Sequence, residues 1–207
     1  VLWLLEELGL PYEIKRYERD AKTMLAPPAL KAVHPLGKSP VITDGAATLA
    51  ETGAIVETIC EAYAGGRLRP AAGTVDRLRW TYWMHYAEGS AMPPLLMKLV
   101  FTALPQRAPG LMRGLVKAVS NSALKGFVDP QLKSHFDYWE AELGKSAWFA
   151  GDAFSAADIM MSFPIEAAAD RAGALEGRPR LAAFLKTIHA RPAYQAALAK
   201  GGPYAYA

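Results

Sequence analysis

The sequence predicts a mixed α/β N-terminal part followed by an all-helical part, and three observations predict it. Strand-like alternation and a hairpin signal occur only in the first 66 residues. A Gly/Pro-rich connector, "GGRLRPAAG", comes next, and apolar stripes at helical spacing run from there to the C-terminus. The expected division is therefore residues 1–66, a linker over 67–73, and a helical domain over 74–207.

The elements follow in order. Val1 to Leu8 has helical spacing, with Gly9 placed for a left-handed stop and Pro11 beyond it. "YEIKRYE", Tyr12 to Glu18, alternates polar and apolar residues and reads as a strand. "APPALKAVHPLGK" reads as loop with one helical turn. "PVIT" and "ATLAE" flank Asp44-Gly45, a dipeptide suited to a tight hairpin turn. From Thr52 the apolar residues Ile55, Val56, Ile59, Cys60 and Tyr63 mark a helix that stops at Gly65-Gly66.

In the helical part, "TVDRLRWTYWMHYAEGS" has apolar groups on two sides. Trp80, Trp83, Met84 and Ala87 lie on one, and Tyr82, His85, Tyr86 and Gly89 on the other, so the helix needs two partners. Asp129 precedes Pro130 as a capping acceptor would. In "FSAADI", Ser155 and Asp158 have the spacing of a capping box and Phe154 that of a hydrophobic staple on Ile159. This reading makes Asp158 structural. "RLAAFLKTIHA" is a further helix, followed by Pro192 and a last amphipathic turn or two.

Composition narrows the function. Of 207 residues, 52% are hydrophobic and 21% charged, enough for a sizeable core. The net charge of +3 comes from scattered lysines and arginines, so nucleic acid is not an expected partner. The longest apolar stretch is interrupted by Pro93, Pro94 and Lys98, and neither a membrane span nor a signal peptide is expected. The single cysteine, Cys60, fits a reducing compartment and lies on a buried stripe. The four histidines, His34, His85, His135 and His189, show no metal-ligand spacing, and no metal is expected.

Two adjoining features carry chemistry. In "GKSP", a cis Ser39–Pro40 bond would leave the N–H and C=O of Ser39 pointing outward, able to pair with an extended peptide. In "AETGAI", Thr52 stands at or near a helix N-cap, where its hydroxyl and nearby N–H groups can receive a carboxylate, and Glu51 can pair with an ammonium. Together they describe a groove for a short peptide with a free amino acid end.

These residues resemble those of the cytosolic glutathione transferase family, in particular its bacterial and fungal branch. "GKSPVI" is similar to the family's cis-proline motif and "LAETGAIVETI" to its γ-glutamyl-binding motif. "AGDAFSAADIMM" resembles its helical-domain capping box, and "HARPAYQAALAKGG" its C-terminal helix. The resemblance covers essentially the whole chain. It implies a thioredoxin-like N-terminal domain, an all-α C-terminal domain, a cytoplasmic homodimer acting in detoxification, and glutathione as co-substrate. Carried over, Ser39 binds the cysteinyl backbone, Glu51 and Thr52 the γ-glutamyl end, and Lys38 the glycine end, with Pro40 holding the turn. Tyr82, His85 and Tyr86 line a pocket for a small hydrophobic electrophile or form part of a dimer face.

The sequence opens inside a helix, whereas in the family a strand and a loop precede it. That loop supplies the group that steadies the glutathione thiolate, so the catalytic residue is expected upstream of Val1 and the chain as given is expected to have weak or no activity. The expected reaction is conjugation of the glutathione thiolate to an electrophile. Glutathione-dependent reduction of disulfides or peroxides, and a binding module without turnover, are the alternatives.

Overall fold

The computed structural model describes residues 1–23 and 25–206. The chain forms two compact units, Val1–Arg69 with Pro192–Tyr204, and Pro70–Arg191 with Ala205–Ala207. The sequence reading placed the last helix in the helical domain; the structure joins it to the first unit.

In the first unit, α1 (Leu2–Leu8) buries Trp3, Leu4 and Leu8 and ends at Gly9, whose φ of 67° is left-handed. Tyr12 to Glu18 forms no strand, because β1 (Val41–Asp44) and β2 (Ala47–Ala50) pair only with each other among the described residues. An alternating segment without a ladder partner cannot be a strand. Its side chains reach instead to helices: Tyr12 Oη donates to Glu6, and Arg16 donates to the carbonyl of Gly201 at 2.5 Å.

The short helix α2 (Pro28–Val33) precedes the hairpin. β1 and β2 are antiparallel with Val41 opposite Ala50 and Asp44 opposite Ala47. The turn is therefore centred on Gly45-Ala46, one residue later than expected. Asp44 stays in the strand, and its carboxylate accepts from the Tyr63 hydroxyl. Helix α3 (Thr52–Ala62) buries Ile55, Val56, Ile59 and Cys60, while Tyr63 lies past its end and is exposed. The last helix, α10 (Pro192–Gly201), packs on α1, with Tyr194 meeting the Trp3 ring edge-on at 5.1 Å. Lys200 also pairs with Glu6 at 2.6 Å.

The second unit is helical. Helix α4 (Val75–Tyr86) runs through a π-turn at Ala87–Ala91 into α5 (Met92–Arg107). After a 3-10 turn, α6 (Arg113–Ala123) continues through a second π-turn into α7 (Asp129–Glu142). Asp129 is thus the first residue of a helix that continues from the one before, rather than a cap after a break. Its carboxylate accepts from Lys98 Nζ at 2.8 Å. Helices α8 (Ala156–Ala172) and α9 (Pro179–His189) complete the unit.

Trp80, Trp83, Trp139, Phe149 and Leu132 are fully buried in this unit, as are Met161 and Ile165 of α8. Helix α8 is buried nearly all round, as expected of a helix at the centre of a bundle. It starts at the capping box of Ser155 and Asp158. Asp158 accepts from the Ser155 N–H at 2.9 Å, the Ser155 hydroxyl at 3.0 Å and the Phe149 N–H at 2.9 Å. Phe154 packs edge-on against Trp148 at 4.9 Å and carries the Arg191 guanidinium over its face at 3.8 Å.

Candidate functional site

The hairpin register determines what the two chemical motifs can do together. With Val41 opposite Ala50, the next positions outward are Pro40 on one strand and Glu51 on the other. Cross-strand neighbours lie about 5 Å apart, so the motif ending in Pro40 and the motif beginning at Glu51 share one end of the hairpin.

Each motif is held open by its own backbone. At the first, a turn from His34 to Gly37 is closed by the Gly37 N–H donating to the His34 carbonyl at 2.9 Å. Gly37 is buried with φ of 58°, and a Cβ there would stand 2.9 Å from both Ala26 Cβ and Lys31 Cγ. Only glycine fits that left-handed, crowded position. Beyond it Lys38 and Ser39 are exposed, and the Ser39–Pro40 bond is cis. Among the described residues the N–H and C=O of Ser39 make no hydrogen bond. Both are therefore available to an extended ligand.

At the second motif Glu51 is the N-cap of α3, with φ of 74° and ψ of 115° and no side-chain cap bond. A non-glycine residue at such an angle is strained, and strain of this kind persists where the surroundings impose it. The Glu51 carbonyl accepts from the Ile55 N–H at 2.9 Å, which leaves the N–H groups of the first helical turn facing outward. Thr52 is the first helical residue, one position later than a cap proper. Its half-buried side chain and the helix N-terminus together suit a carboxylate, and the exposed Glu51 carboxylate suits a cation.

The aromatic residues of the second unit divide by exposure. Tyr82 is 46% exposed and stacks on Tyr86 at 5.4 Å. His85 is exposed. Tyr86 is buried, and its hydroxyl accepts from Trp139 Nε1 at 3.0 Å and meets His135 Nδ1. Burial pushes the Tyr86 phenol up to about 12 and the His135 imidazole down, so both are neutral near pH 7. The sequence analysis placed His135 only among histidines without metal-ligand spacing. The signal that could have found the cluster is "HFDYW", which sets His135, Tyr138 and Trp139 on one face of α7 at i, i+3 and i+4.

Other candidates do not gather chemistry. Cys60 is buried, and burial pushes its thiol up to about 11, against the pull of Arg69. His34 is half-buried, and its Nδ1 lacks a partner among the described residues. Among the described residues no group of three or more His, Cys, Asp or Glu side chains could hold a metal ion, and no helix is long and apolar enough to cross a membrane.

Comparison with known proteins matches two family models along the chain. Residues 1–62 match the family model of the glutathione S-transferase N-terminal domain, and residues 91–192 that of the C-terminal domain. Glutathione S-transferase 3 of Schizosaccharomyces pombe is 33% identical over 202 residues, covering 97% of this chain and 82% of that protein. Glutathione S-transferase 1 of Saccharomyces cerevisiae is 33% identical over 211 residues, covering 97% of this chain and 89% of its own. Among solved structures, a glutathione S-transferase from Actinobacillus pleuropneumoniae aligns with a TM-score of 0.75 at 30% identity, over 96% of this chain and 85% of that one. A sphingomonad glutathione S-transferase complexed with glutathione aligns with a TM-score of 0.69 at 26% identity, over 98% and 93% of the two chains.

Proposed function

The chain belongs to the glutathione S-transferase family, and from that premise we propose that it binds glutathione at the open end of the β1–β2 hairpin. The function is conjugation of glutathione, through its sulfur, to an electrophile. The observation that supports this placement is the register, which sets Ser39–Pro40 beside Glu51–Thr52. In the proposed pose the Ser39 N–H and C=O pair with the cysteinyl backbone as a neighbouring strand would. The γ-glutamyl carboxylate lies on the Thr52 hydroxyl and the N-terminus of α3, and its ammonium meets Glu51. Lys38 takes the glycine carboxylate, while Pro40 shapes the turn.

The chemistry asks little of the protein beyond position and sulfur ionisation. The thiol gives up its proton to solvent, the thiolate forms a carbon–sulfur bond, and the leaving group departs with the bonding pair. Cys60, the sole cysteine in the sequence, is buried with a raised pKa, so the reacting sulfur is glutathione's own. Tyr82 and His85 are the exposed groups proposed to contact a small apolar electrophile, and Tyr86 acts behind Tyr82 as a neutral stacked support. The working form is proposed to be a cytoplasmic homodimer.

Calorimetric titration with glutathione tests the placement. Glu51→Gln or Thr52→Val should weaken binding about tenfold or more, the loss expected for a charge-assisted hydrogen bond. Ser39→Ala should stay within about twofold, because the backbone of Ser39 does the pairing. Unchanged affinity in both Glu51→Gln and Thr52→Val would remove the site from this end of the hairpin. With 1-chloro-2,4-dinitrobenzene, whatever turnover the chain supports should show by mass spectrometry as chloride replaced by glutathione in excess over a protein-free control.

A further inference from the structure

A helix on the surface of a folded protein normally turns its apolar stripe inward, and α6 turns its own outward. Met112, Leu115 and Val119, spaced to share one face, are 52%, 66% and 59% exposed, while Ser120 is buried. Leu111, in the 3-10 turn just ahead of α6, stands wholly in solvent at 104%. Because α5 and α6 pack side by side, the turn that joins them is the tip of a helical hairpin, and that tip is apolar.

Charge marks the same tip. Between Glu88 and Asp129 the sequence holds five cations and no Asp or Glu. Lys98 is held by Asp129 at 2.8 Å, whereas Arg107, Arg113, Lys117 and Lys125 are exposed and make no ion pair among the described residues. Arg107 and Arg113 bracket Leu111 and Met112 in "RAPGLMR".

We propose that this tip docks on an anionic lipid surface, with Leu111, Met112 and Leu115 entering the headgroup layer and Arg107, Arg113 and Lys117 drawn to its negative charge. The pattern of charge chooses the partner. An isologous pairing of two copies through the tip would set these cations against themselves with no acid to answer them. A folded protein partner must offer a pocket for each protruding side chain and a carboxylate for each cation, in register. A lipid surface yields to any protruding apolar group and carries its charge everywhere. Among the described residues no helix can cross a membrane, so the contact is peripheral, reversible and sensitive to salt. It is separate from the aromatic groups proposed for the electrophile, since the 16 residues of α5 lie between them, about 24 Å at the usual rise.

Sedimentation of the full chain with vesicles tests this. Phosphatidylcholine vesicles holding about 30% phosphatidylserine should bind the chain in about 0.1 M salt. Vesicles of phosphatidylcholine alone, or the mixed vesicles in about 0.5 M salt, should bind it about tenfold less. Arg107→Gln/Arg113→Gln/Lys117→Gln should weaken the binding about tenfold, and Leu111→Ser/Met112→Ser about fivefold. Should the serine pair fail to fold, Leu111→Ser alone, at a fully exposed position, should still weaken it about threefold. Leu78→Ser and Lys186→Glu, exposed on α4 and α9, should leave it unchanged. No binding to the mixed vesicles, equal binding to phosphatidylcholine alone, or wild-type binding in either the glutamine or the serine variant would each overturn the proposal. Equally tight binding to soluble polyglutamate would overturn it in favour of an acidic polypeptide, and a halving of the solution mass in the serine variant in favour of a second copy.

Discussion

At the scale of single residues, Asp158 is the side chain on which most depends outside the proposed site. It is fully buried and accepts three hydrogen bonds, from Phe149 and from the N–H and hydroxyl of Ser155. Burial pushes its carboxyl up to about 6, and the three donors pull the other way without overcoming it. The folded state thus holds the proton more tightly than the unfolded chain. Its contribution to stability is full below the ordinary value of 3.8 and is lost as pH rises through about 6. Asp158→Asn keeps the size but presents an amide to N–H donors, and should cost about 2–4 kcal/mol in a denaturant melt. The gap from wild type should be wider at pH 4.5 than at pH 7, because the variant lacks the titrating group. A gap independent of pH would mean that Asp158 is ionised throughout. Ser120 makes the opposite case. It is 1% exposed on α6 and its hydroxyl has no partner among the described residues, so Ser120→Ala should stabilise the chain by about 1 kcal/mol. A lower melting temperature in that variant would show that the hydroxyl is satisfied.

Among the elements, the loop between α2 and β1 links fold to site. Gly37 turns left-handed beside Ala26 and Lys31, and the next two residues are the exposed Lys38 and Ser39. Gly37→Ala adds both the conformational penalty and a contact at 2.9 Å, and should cost about 1–3 kcal/mol while weakening glutathione more than Ser39→Ala does. Thermal melts and calorimetry on the same two variants check this. The elements legible in the sequence were those fixed by local rules. Gly9 ends α1, Ile55 to Cys60 mark the buried face of α3, and Ser155 and Asp158 open α8, each readable from spacing alone. What escaped depends on distant partners. The alternation of Tyr12 to Glu18 holds no information about whether another strand lies beside it. The π-turns at Ala87–Ala91 and Leu124–Val128 insert one residue into an otherwise regular period, so the helices continue where Asp129-Pro130 suggested a start. The site followed the same rule. "GKSP" and "AETGAI" were each visible, but their meeting at one hairpin end required the register, and the Tyr86–His135–Trp139 cluster required two helices 49 or more residues apart.

For the molecule as a whole, the first unit is made from both ends of the chain. Helix α10 covers the Trp3 side of α1, Arg16 caps the carbonyls at its C-terminus, and Lys200 meets Glu6. A chain ended after Arg191 should therefore keep α8 protected while the amides of α1 exchange faster, as hydrogen exchange would report. Unchanged protection in α1 would show that α10 is not needed to stabilise it. The same arrangement has a temporal meaning. On a ribosome adding about 5–20 residues per second, α1 is made before the second unit and waits roughly 10–40 s for the segment that covers it. Throughout that interval Trp3 lacks its Tyr194 partner while the entire helical unit is being made. The unit whose first helix is made before the helical unit is thus completed only after it.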